Sequence, residues 1–254
     1  MHLGEEFSIW LRKLRTGRDR QQTLVCFPPG GGSATSYTNL AESLGPDPTV
    51  YAVQYPGRQD RLGDKPIPSI MELAERIGDA MTPLFGENLM LFGHSMGATV
   101  AFETARRIER HGQPVAALFV SGRPDLAFVD TGTLRHASDS DLITELERLA
   151  NDPASVRILR DEPELAEIVL PAVRNDYQAV ETYRHQAGAP LQCDVFALLG
   201  RSDPTTTPEQ IREWCHHTTG RFEVFLFDGG HFYLDERGRE IAQVITPKLR
   251  TRRR

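Results

Sequence analysis

The feature that most constrains this chain is a five-residue turn between two segments of different periodicity. Residues 88–93 read NLMLFG, which is typical of a buried strand. Residues 98–108 place alanine, phenylalanine and isoleucine on one helical face and charged side chains on the other. Gly93-His94-Ser95-Met96-Gly97 joins them. A buried strand that leads through a tight turn into an amphipathic helix predicts a sheet with helices packed on it.

The same alternation recurs along most of the chain. We predict strands at 22–27, 50–55, 88–93, 115–120, 193–199 and 221–227. We predict helices at 35–44, 70–84, after Ser95, at 208–216 and after His231. Strands that are apolar throughout and alternate with helices favour a mostly parallel sheet covered on both faces. The 254 residues suit a single domain over residues 1–254.

The alternation is interrupted between residues 125 and 183, where no strand pattern occurs. Helical spacing is found instead at 141–150 and 164–183, with Pro171 expected to kink the second helix. The sequence therefore predicts a helical insertion at 125–183 that lies over the sheet edge as a lid.

Composition excludes several classes of protein. The net charge of -6 argues against nucleic acid as the main partner. Mean hydropathy is -0.38, and no apolar run approaches the roughly 20 residues that span a membrane. The first twenty residues are charged throughout and lack a signal-peptide core, so we expect a cytoplasmic protein. Arginines and lysines crowd both ends, and we expect these ends to be solvated and partly frayed.

The three cysteines predict neither a disulfide framework nor a metal site. Cys26 and Cys193 lie in apolar runs, where cysteine usually acts as a small buried side chain. Cys215 stands beside His216 and His217, but these residues alone supply too few ligands for zinc. We expect no metal and no cofactor.

The turn itself has the G-x-S-x-G pattern of a nucleophile elbow, which identifies Ser95 as the candidate nucleophile. A serine hydroxyl needs a base to accept its proton. Of the eight histidines, His231 lies just past the strand at 221–227, on the loop Asp228-Gly229-Gly230. Active sites of open parallel sheets form at that carboxyl edge, so His231 is the candidate base.

The base in turn needs a carboxylate to orient it. Asp203 directly follows the strand at 193–199 and is the preferred candidate. Asp228 is a rival because it is close to His231 in the chain, whereas Asp194 begins its strand and lies at the wrong edge. The order Ser, Asp, His is the usual one for the α/β-hydrolase fold.

Two backbone N–H groups are needed to stabilise an oxyanion. One is expected from Met96, the residue after the nucleophile. The other is expected from the glycine-rich loop FPPGGG after the first predicted parallel strand, where we choose Gly30. A nucleotide-binding loop is the competing interpretation, but no GK[ST] or GxGxxG follows.

Six blocks of sequence together resemble the type II thioesterases, which are discrete hydrolases associated with polyketide, nonribosomal peptide and fatty-acid synthases. In chain order, the blocks are FPPGGGSATSY, QYPGRQDR, LFGHSMGATVAFE, LPAVRNDYQAVETY, LLGRSDP and DGGHFYL. The resemblance implies the same triad, Ser95, Asp203 and His231, and the same donors, Gly30 and Met96. One departure is visible: the family commonly has alanine where this chain has Gly30.

The resemblance also implies a substrate and a partner. Type II thioesterases hydrolyse acyl groups from the phosphopantetheine arm of acyl or peptidyl carrier proteins, either to clear stalled units or to release a product. A carboxylesterase acting on free small molecules, and a non-catalytic receptor on the same scaffold, are the alternatives. Because carrier proteins are generally acidic, we expect Arg58 and Arg61, which follow the strand ending QYP, to help bind the carrier or its phosphate.

Overall fold

The predicted strands form the centre of the computed structural model, which describes residues 3–19 and 21–249. The described chain forms a seven-stranded sheet in the order β1-β3-β2-β4-β5-β6-β7. All neighbouring strands are parallel except β1, which runs antiparallel to β3. The strands are β1 (Leu11–Arg15), β2 (Gln22–Phe27), β3 (Thr49–Val53), β4 (Asn88–His94), β5 (Ala117–Ser121), β6 (Asp194–Gly200) and β7 (Phe222–Phe227). This architecture confirms the predicted fold class.

Helices cover both faces of the sheet, because successive side chains of each buried strand point to opposite faces. One face carries α3 (Ile70–Ala80) and α4 (Met96–Arg110), and the other carries α2 (Thr38–Ser43) and α9 (Leu234–Leu249). Along the chain, the short helix α8 (Pro208–Arg212) follows β6 and precedes β7. No helix among the described residues is both long and apolar enough to cross a membrane.

Several predicted helices are shorter than their sequence patterns suggested. The segment 35–44 is a 3-10 turn (Ala34–Tyr37) followed by α2, and the segment 208–216 is α8 followed by a 3-10 turn (Glu213–His217). In both places the last or first turn tightens to the 3-10 form, which is common at helix ends.

Three α-helices lie in the chain between β5 and β6. They are α5 (Asp139–Leu149), α6 (Pro153–Asp161) and α7 (Pro163–Thr182). Their apolar faces form a separate small cluster, which contains Leu142, Ile143, Leu159, Leu170 and Val173. The helix α6 was not predicted, and α7 continues through Pro171.

The expectation of a frayed amino-terminal segment is wrong for the described residues. Residues 3–15 form α1 (Leu3–Trp10) and β1. The guanidinium of Arg15 donates to the backbone oxygens of Leu44 and Gly45, and to that of Pro48 at 3.0 Å. The basic side chain therefore fixes a neighbouring turn rather than lying free in solvent. Arg20 and residues 250–254 lie outside the described residues.

Candidate active site

Ser95 lies at the turn between β4 and α4, in a backbone conformation that L-residues rarely adopt. Its φ is 53° and its ψ is -122°. Space at the turn is very small: a Cβ on Gly93 would lie 2.2 Å from the oxygen of Gly97, and one on Gly97 would lie 2.0 Å from the oxygen of Phe27. Glycine is therefore required on both sides, as the nucleophile-elbow prediction expects.

The hydroxyl of Ser95 is not used to cap the helix that follows it. The backbone N–H of Ser95 donates to the oxygen of Ser121 at 2.8 Å, which ties the turn to the end of β5. The residue is half-buried and lines a cavity together with His231. The turn thus presents the Ser95 hydroxyl, without a capping bond, at the amino terminus of α4, where the helix dipole favours negative charge.

His231 and Asp203 meet across the loops that follow β7 and β6. The Nδ1 of His231 lies 2.9 Å from Oδ2 of Asp203, and the two side chains are 3% and 0% exposed. The other carboxylate oxygen accepts from the backbone N–H of Thr205 at 2.8 Å and from its hydroxyl at 2.7 Å. Burial raises the pKa of Asp203, but the hydrogen bonds from His231 and Thr205 outweigh it and hold that pKa below its ordinary value.

The geometry favours Asp203 over both rival carboxylates. The side chain of Asp228 is 79% exposed and pairs with Arg201 at 3.4 Å. Asp194 accepts from the backbone N–H of Arg221 at 2.9 Å, at the opposite edge of the sheet. Asp203 alone among the three contacts the ring of His231 in the described chain.

The candidate oxyanion donors, Gly30 and Met96, line the same cavity as Ser95 and His231. In the described part of the chain, neither backbone N–H donates to a protein acceptor. Since the first N–H groups of a helix have no partner within it, the Met96 group is available by position. A Cβ on Gly30 would meet its nearest atom at 3.5 Å, so alanine would also fit there. The departure from the family pattern therefore has no steric cause.

His94 packs against the catalytic loops. Its ring contacts that of His231, with centroids 4.8 Å apart. Its Nδ1 lies 2.9 Å from the Ser121 hydroxyl, which lies 2.6 Å from the hydroxyl of Tyr233. Burial holds the pKa of His94 well below its ordinary value, so the ring is a neutral support for His231.

Arg58 and Arg61, which we expected to bind the carrier protein, bind partners within the chain. Arg58 is buried, and both of its terminal nitrogens bind the carboxylate of Asp176, at 2.6 and 2.8 Å. Arg61 donates to Asp64 at 2.7 Å and lies over the ring of Trp10, 4.4 Å from its centroid. Neither guanidinium is free to bind a phosphate, so the structure contradicts a docking patch at these two residues.

A family model described as "Thioesterase domain" matches residues 22–249 of this sequence. This chain belongs to the thioesterase family. It is 40% identical to Thioesterase PikA5 of Streptomyces venezuelae over 249 residues, which cover 97% of this chain and 88% of that protein.

Solved structures of thioesterases share the whole fold with this chain. The type II thioesterase BorB from the borrelidin biosynthetic cluster is 42% identical, with a TM-score of 0.86 that covers 95% of this chain and 98% of that one. YbtT, a type II thioesterase from the yersiniabactin pathway, is 29% identical with a TM-score of 0.84, covering 94% and 98%. These similarities confirm the resemblance to type II thioesterases and identify the chain as a thioester hydrolase.

Proposed function

We propose that this thioesterase hydrolyses acyl groups from the phosphopantetheine arm of acyl or peptidyl carrier proteins, with Ser95, His231 and Asp203 as its catalytic triad. One observation supports this most strongly. The strained serine turn, the ring of His231 from the buried His231–Asp203 pair, and two backbone N–H groups with no protein acceptor among the described residues line a single cavity. The proteins it resembles, PikA5 and BorB, are thioesterases by name, and BorB comes from a biosynthetic cluster.

In the acylation step, the Ser95 hydroxyl attacks the thioester carbonyl carbon while His231 accepts its proton. The carbonyl oxygen becomes an oxyanion that accepts hydrogen bonds from the N–H groups of Gly30 and Met96. Collapse of this intermediate breaks the carbon–sulfur bond. The thiol of the arm leaves with the proton held by His231, and the acyl group remains as an ester on Ser95.

In the deacylation step, water replaces the thiol. His231 removes a proton from the water, which attacks the ester carbonyl, and the carboxylic acid leaves while Ser95 regains its proton from His231. Asp203 stays ionised throughout, because its hydrogen bonds hold its pKa below the ordinary value. It fixes the ring tautomer that leaves Nε2 unprotonated and able to accept a proton.

The helices between β5 and β6 would act as the lid over the acyl chain. A cavity of about 590 Å³ lies beside the one that contains Ser95, and the two share Pro29, Gly30, Leu146 and Phe232. Its lining from α6 and α7 is largely apolar and includes Val156, Leu159, Val169 and Val173. An apolar cavity next to the nucleophile suits the hydrocarbon part of an acyl group.

Leu146→Arg is expected to impair long acyl chains selectively. Leu146 is half-buried and lines both cavities, so a charged side chain there would oppose the burial of methylene groups. Each buried methylene contributes about 0.8 kcal/mol, and a factor of ten corresponds to about 1.4 kcal/mol. If the charge prevents burial of about two methylenes of an octanoyl chain, kcat/KM falls about tenfold more for an octanoyl than for an acetyl thioester.

The matched control for this experiment is Ala154→Arg, which places the same charge at an exposed position on α6 that lines neither cavity. It is expected to leave the ratio of octanoyl to acetyl activity unchanged. Circular dichroism checks that both variants are folded. Equal losses on the two substrates in folded Leu146→Arg would show that this side chain does not contact the acyl group.

The experiment that tests the proposed function presents one acyl group in three forms: on a carrier protein, as a free N-acetylcysteamine thioester and as a matched oxoester. We expect kcat/KM to decrease in that order, because the carrier adds contacts and the oxoester has the poorer leaving group. A preference for the oxoester would instead favour a carboxylesterase.

We also propose that the protein is located in the cytoplasm. The thiol of Cys215 is free and exposed, which is compatible with a reducing compartment.

A further inference from the structure

A buried ion pair between Arg58 and Asp176 binds the glycine-rich loop at two consecutive residues, Gly31 and Gly32. Asp176, on α7, accepts a hydrogen bond from the backbone N–H of Gly31 at 2.8 Å through Oδ2, which also accepts from Nη1 of Arg58. Arg58 in turn donates to the backbone oxygen of Gly32 at 3.1 Å. The two side chains are 9% and 2% exposed, so water does not compete for these bonds.

These contacts lie next to the candidate oxyanion donor. Gly31, which immediately follows Gly30, has a φ of 74°. Glycine adopts positive and negative φ about equally readily, so its own backbone preferences do not fix this conformation. Its N–H is bound to Asp176, whereas the N–H of Gly30 has no protein acceptor in the described chain. Asp176 thus accepts a hydrogen bond from the N–H of Gly31 and leaves the N–H of Gly30 for a ligand.

The charge of Asp176 has to be neutralised for this arrangement to help catalysis. A buried carboxylate close to a developing oxyanion would repel it, because like charges interact strongly where water is excluded. Arg58 binds both carboxylate oxygens in the bidentate geometry that guanidinium favours. Burial opposes the charge on Arg58, but Asp176 outweighs it and raises the pKa of Arg58, so the guanidinium stays protonated.

We infer that Arg58 and Asp176 are positioning residues that set the geometry of the oxyanion hole and make it depend on where α7 is docked. Neither touches the reacting atoms; both act through the backbone of Gly31 and Gly32. The two residues are 118 positions apart in the chain, and Asp176 belongs to the helical segment proposed as the lid. When α7 leaves the loop, Gly31 loses its acceptor and the donor of Gly30 loses its fixed position. This inference rests on the proposed function, since it gives Gly30 the role of oxyanion donor.

The test compares Asp176→Asn, Asp176→Leu and Arg58→Met with the wild-type protein. For each we would measure kcat and KM on an acyl-N-acetylcysteamine thioester, and Ki for an alkyl trifluoromethyl ketone, whose adduct with serine carries an oxyanion. Asp176→Leu removes the acceptor for Gly31 and is expected to lower kcat about 10- to 100-fold, with KM within about threefold. Asp176→Asn keeps one acceptor oxygen and nearly the same side-chain shape, and we expect a loss of about 3- to 10-fold.

The affinity for the ketone distinguishes positioning from a purely structural role. If the pair sets the oxyanion hole, Ki rises by the same factor as kcat/KM falls in every variant. Arg58→Met, which leaves an unneutralised carboxylate beside the hole, is expected to lose more activity than the double variant Arg58→Met/Asp176→Leu. A fall in kcat without a rise in Ki, in any folded variant, would overturn the inference.

A second buried ion pair gives a matched control. Glu103 and Arg106 on α4 are also buried, with 3.2 Å between Arg106 Nη1 and Glu103 Oε1, and neither lines the cavity of Ser95. Glu103→Gln is expected to lower Tm while kcat and Ki stay near wild type. Ser95→Ala, assayed in parallel, separates the two hypotheses. Activity in Ser95→Ala would refute the proposed function itself, whereas full activity and ketone affinity in Asp176→Leu would refute the positioning role alone.

Discussion

Replacing Ser95 with alanine is expected to lower kcat for thioester hydrolysis by about 10⁴-fold or more, while the protein remains folded. The loss follows from chemistry, because no other group at the elbow can form the acyl ester. The fold should survive because the hydroxyl makes no capping bond to α4, and alanine keeps the same Cβ in the strained turn. Initial rates of thiol release, with Tm measured on the same samples, check both parts of this prediction.

The control for Ser95→Ala is Ser8→Ala, which removes an exposed hydroxyl on α1. Its activity should equal that of the wild type. Intact-protein mass spectrometry adds a second readout: the wild-type chain should gain the mass of one acyl group when mixed rapidly with a slow substrate, and Ser95→Ala should not. Activity of Ser95→Ala within about tenfold of wild type would rule out the assigned nucleophile.

Asp203→Asn is expected to have the second-largest effect, a loss of roughly 10⁴-fold in kcat. An asparagine can still accept from the N–H of Thr205 with its oxygen, which turns its NH₂ group toward Nδ1 of His231. Nδ1 of His231 must then accept this hydrogen bond, so the ring carries its proton on Nε2 and cannot take one from Ser95. The side chain keeps its shape, so the loss should appear in kcat with little change in KM.

Asp228→Asn is the matched control, since it makes the same change on the rival carboxylate. Asp228 is exposed and its contact with Arg201 is a surface ion pair, which contributes little to stability. We expect its kcat to stay within about twofold of wild type. If Asp228→Asn were the crippling change and Asp203→Asn were mild, the assignment of the orienting acid would be reversed.

The parts of the site that could be predicted from sequence are those encoded locally. The elbow at Ser95 combines a motif with a change of periodicity from strand to helix, and both are visible within about 20 residues of chain. Asp203 and His231 directly follow apolar strands, so the parallel sheet alone places them at the same edge. In the structure His231 lines the Ser95 cavity, and its ring contacts the carboxylate of Asp203.

Long-range pairs could not be predicted in this way. Arg58 was interpreted as a docking residue because it follows a strand at the active edge, and nothing near it in the sequence indicates a partner 118 positions away. Asp176 lies within a helical pattern whose charged positions usually face solvent. Such pairs are set by how α7 packs on the loop, which is a property of the tertiary structure.

Among the elements that were not predicted, β1 and α6 were missed for different physical reasons. The strand β1 reads LRKLR, and its conformation comes from pairing with β3 rather than from an apolar pattern of its own. The helix α6 did have a local signal, since Asp152 caps it through the N–H of Ala154 and Pro153 occupies its first turn. That signal is present in the sequence, although the helix itself spans only nine residues.

The most direct test of the central claim follows the carrier protein itself. Acyl groups of several lengths are loaded on the phosphopantetheine arm of a carrier protein, the thioesterase is added in catalytic amount, and intact mass spectrometry records the carrier over time. We predict that each carrier returns to its free-thiol mass with multiple turnovers, and that Ser95→Ala leaves it acylated. Acyl-carrier proteins that stay loaded, under conditions where the same enzyme rapidly cleaves a matched oxoester, would contradict the claim.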